Sequence, residues 1–240
     1  MTVTDERVRG EGSGTSPEQQ AKALVERMRT LRQEGQFDEA LAVGEEVRRR
    51  FEPAAEPAVG LQVGWSLLHT AVCLAQRKRA PEALASLEEV LARWGRAEGG
   101  DALGLVAEAL LTHGLVQARQ GQFGEAIVSL SKSFRLVEGS GDEGLRARAV
   151  QALLSTACLL FAMGQNDDAL GLVGKARRKF AGETGATLTH ALDALVDSPV
   201  LMDDLARECL KVANALLGES DASRPDLERI QARMARARPS

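Results

Sequence analysis

The stretch Gly35-Gln36-Phe37-Asp38-Glu39-Ala40-Leu41 constrains this chain more than any other, because close copies return at 78–84 (KRAPEAL), 121–127 (GQFGEAI) and 164–170 (GQNDDAL). Its alanines fall at 40, 83, 126 and 169, a constant step of 43 residues. A fixed step of this size marks stacked units, each burying its apolar face against the next, so a solenoid is expected.

The same step picks out Leu24, Leu67, Leu110 and Leu153, followed four residues later by Met28, Ala71, Gly114 and Ala157. All but Met28 are small. Residues four apart share a helical face, and a small one beside a leucine lets a neighbouring helix come close. Each unit therefore reads as helix, tight turn, helix. The spacing predicts helix pairs at 17–34 with 37–51, 60–78 with 81–95, 101–120 with 123–138, and 143–163 with 166–181. Ser16-Pro17-Glu18-Gln19 marks the first start, with Ser16 as N-cap, Pro17 at the first helical position and Gln19 completing a capping box. Pro53 and Pro57 mark the first loop between units, while Pro81 is tolerated where a helix begins.

This order of a large residue, a small one a turn later, Gly at the turn and then acidic-Ala-Leu resembles the tetratricopeptide repeat over roughly residues 20–182. The resemblance implies an all-α, right-handed solenoid of helical hairpins. Four regular repeats would occupy 16–182, with a degenerate fifth capping unit at 183–218. That family's usual step is about 34 residues, so the extra residues here lengthen helices or loops. With no tyrosine and few other aromatic residues, packing rests on Leu, Val and Ala. Residues 1–15 are expected to be a flexible tail, since they are polar and lack periodicity. Residues 219–240 read as a linker and a short basic amphipathic helix, Leu227, Ile230 and Met234 opposing Arg229, Arg233, Arg236 and Arg238.

Thirty basic residues stand against 34 acidic ones, for a formal net charge of −4. That balance gives no global attraction to nucleic acid or anionic lipid, so neither is an expected partner. The amino terminus has no apolar run of signal-peptide length, and no stretch approaches the ~18 uninterrupted apolar residues of a membrane span. A cytoplasmic location without membrane insertion is expected. Cys73, Cys158 and Cys209 are odd in number and lie in helical patterns, which fits reduced, buried thiols.

His69 and Cys73 share a helical face, a spacing that can hold a metal. Structural zinc takes four ligands, however, and no second pair lies at a matching offset. The pair reads as a half-buried histidine beside a core cysteine, and no metal is expected. The chain has no Gly-x-Ser-x-Gly elbow and no His-Glu-x-x-His; Gly171 to Lys175 is too short for a phosphate loop and falls in mid-helix. Neither a cofactor nor catalysis is expected. The basic runs Arg48 to Arg50 and 175–179 (KARRK) sit where helices end, where positive charge complements the dipole.

For binding, the resemblance implies a concave groove lined by the face of each first helix that turns away from its own partner. It places Val25, Leu68, Leu111 and Leu154 there, then Arg29, Val72, Leu115 and Cys158, with Trp65 and Phe161 near the helix ends. The groove is apolar outside the first unit. It lacks the Lys and Asn residues by which chaperone-binding relatives hold a terminal carboxylate. The function implied is that of a non-enzymatic adaptor or scaffold whose groove takes an apolar or amphipathic segment of another protein or peptide. The alternative is a peptide-sensing regulator, as in similar long-repeat bacterial proteins, or a secretion-type chaperone. The carboxy-terminal helices folding back, or a second copy forming a homodimer, are further candidate occupants.

Overall fold

In the computed structural model of the protein the described residues are 15–53, 56–96 and 100–179, with Glu228 and Ala232. Apart from Thr15, Glu228 and Ala232, the expected tail at 1–15, the capping unit at 183–218 and the basic segment at 219–240 lie outside them, as does Cys209. The described residues form eight helices and no strand: α1 (Pro17–Gln33), α2 (Phe37–Phe51), α3 (Pro57–Gln76), α4 (Ala80–Trp94), α5 (Gly100–Arg119), α6 (Phe123–Val137), α7 (Glu143–Ala162) and α8 (Asn166–Lys179).

The first start is built as its residues require. Ser16 Oγ accepts from the Gln19 amide at 3.2 Å, and the Ser16 amide donates to Gln19 Oε1 at 3.0 Å. At α3 the structure corrects the expected boundary. Pro57 opens the helix instead of marking the loop before it, because the first amides of a helix have no intrahelical acceptor and proline loses nothing there.

The turn inside each hairpin recurs with the sequence. Gly35, Lys78, Gly121 and Gly164 have φ of +77°, +61°, +76° and +76°. The next amide then donates five residues back, Gln36 to Leu31 and Arg79 to Leu74 at 2.9 Å, Gln122 to Gln117 at 3.0 Å and Gln165 to Leu160 at 2.8 Å. This left-handed closure satisfies carbonyls that a helix end leaves open, and glycine adopts it without steric cost. Lys78 holds the same conformation with a side chain.

Each helix packs on the next in sequence, and the first helices also pack on one another, α1 on α3, α3 on α5 and α5 on α7. The second helices make no such contacts among themselves. The first helices therefore form a continuous inner layer and the second helices an outer one. Ala40, Ala83, Ala126 and Ala169, the repeated alanines, are all fully buried at 0% exposure between these layers. Leu67 and Leu153 of the leucine ladder are buried too, while Leu24 and Leu110 are partly covered.

The inner layer is apolar enough that α3 and α7 have the length and composition to cross a membrane. In each, 67% of the apolar window is buried inside the fold. Their hydrophobicity is spent on the core, as the stacked architecture demands.

Candidate interaction face

The step of 43 residues aligns side chains in rows across the inner layer. One row runs Val25, Leu68, Leu111, Leu154, and a turn further on comes Arg29, Val72, Leu115, Cys158. The structure buries all six of the expected groove residues in these rows: Leu68 at 2%, Val72 at 6%, Leu111 at 1%, Leu115 at 3%, Leu154 and Cys158 at 0%. They belong to the core cluster and do not present an open apolar surface. Successive first helices touch one another, and side chains at such seams are shielded. Trp65 and Phe161 are only partly buried against that core. The α7 end is closed, with every residue from Gln151 to Leu160 buried.

Polar groups gather at the opposite end, where α1, α3 and α5 meet. Glu108 on α5 holds Arg148 of α7 through Nε at 2.9 Å, and on α1 Glu26 holds Arg29 at 2.8 Å. The Trp65 and His69 rings lie 6.4 Å apart, tilted by 34°. Burial pushes the His69 imidazole down to about 3, assisted by the positive charges of Arg32 and Arg29, so the ring is neutral. Burial also pushes the Cys73 thiol up to about 11, against the opposing pull of Arg32. A protonated thiol and an imidazole that stays neutral offer no activated nucleophile. Among the described residues no group of three or more His, Cys, Asp or Glu side chains is placed to hold a metal.

Arg32 stands apart. It lies in the last turn of α1, its Nε is shielded from water, and that Nε has no hydrogen-bond partner. Gln76 Nε2, at the last residue of α3, is likewise shielded and unpartnered. Burial pulls the Arg32 pKa below its usual value, and Cys73 and Glu108 oppose that shift. The sequence reading named neither Arg32 nor Glu108. The repeat itself carries the signal, for Glu108 lies one step after Trp65 and Arg32 lies three steps before Phe161.

On the outer side a cleft of about 480 Å³ opens between α2 and α4, floored by Val63, Leu67 and Leu74 and rimmed by Glu45, Glu82 and Glu89.

Helical hairpins stacked at a fixed step, with their first helices in direct contact, define an α-solenoid repeat protein. Residues 62–139 match a family model described as Tetratricopeptide repeat. A crystal structure of nearly identical TPR-like repeats from a Podosopora anserina protein named for kinesin light chain is similar, with a TM-score of 0.57 at 19% identity, covering 95% of this chain and all (100%) of that one. A point variant of the same protein gives a TM-score of 0.57 at 17% identity, covering 93% and 98%. At these identities the likeness is one of fold. No curated protein matches the chain. Tetratricopeptide repeats generally mediate protein–protein interaction.

Proposed function

We propose that this protein is an adaptor or scaffold, cytoplasmic and without catalytic activity of its own. Its docking surface is the inner layer at the α1–α3–α5 end, and the segment it takes is an apolar or amphipathic peptide from another protein. In this reading the stack of hairpins is right-handed.

The observation that carries this reading is Trp65. It is a large aromatic left partly exposed on the helix that carries the buried Leu68 and Val72, with the His69 ring 6.4 Å away. Aromatic residues so placed are enriched at the centres of protein contacts, because they bury much apolar area at low entropic cost.

Replacing Trp65 with a photo-crosslinking amino acid tests it, with the same group at Val128 on α6, which is 53% exposed on the outer layer, as control. A partner crosslinked from position 65 and not from 128 is the expected result. Equal capture from both positions, or crosslinking only to a second copy of the chain, would overturn the assignment.

A further inference from the structure

The turn between α3 and α4 carries three cations in a row, Arg77, Lys78 and Arg79. The outer two are matched within the fold. Arg77 holds the Asp38 carboxylate of α2, and Arg79 holds Glu82 through Nε and a terminal nitrogen, each at 2.6 Å. The Lys78 side chain has no such partner among the described residues, and neither has that of Arg119 in the last turn of α5.

Lys78 and Arg119 line one pocket of about 240 Å³ at the seam between the second and third hairpins, together with Gln120 and an apolar wall of Ala75, Ala80 and Val116. Lys78 and Gln120 are exposed and Arg119 is half-buried, so this charge is open to a ligand.

The repeat does not call for it. One step of 43 residues earlier the two cations correspond to Gly35 and Gln76, and one step later to Gly121 and Ala162. Gly35, Gly121 and Gly164 close the same turn, so closure needs no side chain at 78. Lys78 nevertheless holds the left-handed conformation at φ +61°, which is unfavourable for a residue with a Cβ. An exposed cation at a helix end gains less from the dipole than that conformation costs, so the dipole does not account for the lysine. Strain kept where the fold does not require it points to a use outside the fold.

We propose that Lys78 and Arg119 form a docking site for an acidic segment of another protein, with one carboxylate to each cation. The chemistry follows the pattern of the same turn, where Arg77 and Arg79 each take one carboxylate from within the chain. Two cations are left over, and the apolar wall suits the methylenes of glutamate. The site does not depend on the surface around Trp65, so either assignment can fail alone.

The test uses the full-length chain on an array of end-blocked peptides of alanine, serine and glycine that carry two glutamates at varied spacing. Matching peptides carry glutamine, or phosphoserine, in place of glutamate. Affinities for the bound peptides are then compared for the wild type, Lys78→Gly, Lys78→Arg, Arg119→Gln and Arg49→Gln, the last removing an exposed cation of α2 outside the pocket.

The expected result is binding of glutamate peptides over glutamine ones. Lys78→Gly and Arg119→Gln should each bind roughly 5-fold to 10-fold more weakly, between the loss of an exposed ion pair and that of a hydrogen bond to a charged group. Lys78→Arg and Arg49→Gln should bind as the wild type does. Lys78→Gly should also melt higher as its strain is released, so that stability and binding move in opposite directions.

Equal weakening in Arg49→Gln would reduce the effect to net charge and overturn the proposal. An affinity unchanged in Lys78→Gly, equal binding of the glutamine peptides, selection of phosphoserine peptides alone, or no binding of any peptide would each overturn it as well. Should Arg119→Gln fail to fold, Lys78→Gly decides the question by itself, since it carries the residue that the other three turns already have.

Discussion

A Cβ added to Gly114 would lie 2.8 Å from Cγ of Leu130 and 3.0 Å from the carbonyl oxygen of Ala126. The two helices of the third hairpin thus meet with no room for a side chain on α5 at this point. Leucine at 114 should overpack the contact and cost about 1–3 kcal/mol. Denaturant unfolding of Gly114→Leu checks this, and a midpoint equal to that of the wild type would contradict it.

The first hairpin solves the same contact in reverse. Gly44 occupies the position that Leu87, Leu130 and Val173 hold in the other units, and Met28 stands where they have Ala71, Gly114 and Ala157. A Cβ on Gly44 would come within 2.8 Å of Met28 Cε and 2.7 Å of Thr70 Oγ1. The large residue has moved from the second helix to the first, and Met28 remains fully buried, its sulfur accepting from Ser66 Oγ at 3.7 Å. Met28→Ala alone should cost about 2–5 kcal/mol through the cavity it leaves. Gly44→Leu alone should overpack. The double variant should recover part of both losses, giving a favourable coupling in a double-mutant cycle. Additive losses would mean that the two side chains do not share one space.

Lys78 is the one turn residue of the four with a side chain, held at φ +61°. Because the left-handed region costs an L-residue about 1–2 kcal/mol, Lys78→Gly should stabilise the protein by about 1 kcal/mol. Its side chain is exposed, so little packing is lost. A lower melting temperature in this variant would refute the account.

The hairpins were legible in the sequence because the features that make them are local and repeat. Ser16 and Gln19 announce a cap, three of the turns carry glycine, and Ala40, Ala83, Ala126 and Ala169 mark the seam between layers. Exposure was not legible. Whether Leu111 or Leu154 faces water depends on how closely neighbouring first helices approach, which is a property of the stack and not of any one helix. The exchange between Met28 and Gly44 was half visible, as an unexplained large residue. Arg32 and Glu108 were overlooked because the face was defined by apolar residues, although the same step runs through both. Pro57 was misplaced for a simpler reason, since proline suits both a loop and the first turn of a helix.

His69 supplies the last prediction. Its imidazole is buried at 8% exposure on α3, and its folded pKa lies at about 3, below the usual 6.5. Desolvation is the main cause, and Arg32 and Arg29 on α1 push in the same direction. Above pH 6.5 the ring is neutral in both states and contributes no pH dependence. Below that value the unfolded chain binds a proton that the folded chain refuses, so stability falls as the pH drops through the window from about 6.5 to about 3. The loss should approach about 1.4 kcal/mol per pH unit, or about 2 kcal/mol by pH 5. In His69→Gln position 69 no longer titrates. Carboxylates titrating in the same range do so in both proteins and cancel from the difference. Denaturant unfolding at about pH 7, 6 and 5 should therefore show a shallower decline for His69→Gln than for the wild type. Parallel declines would mean that the imidazole accepts its proton in the folded state, and that the α1–α3 seam is open enough to solvate it.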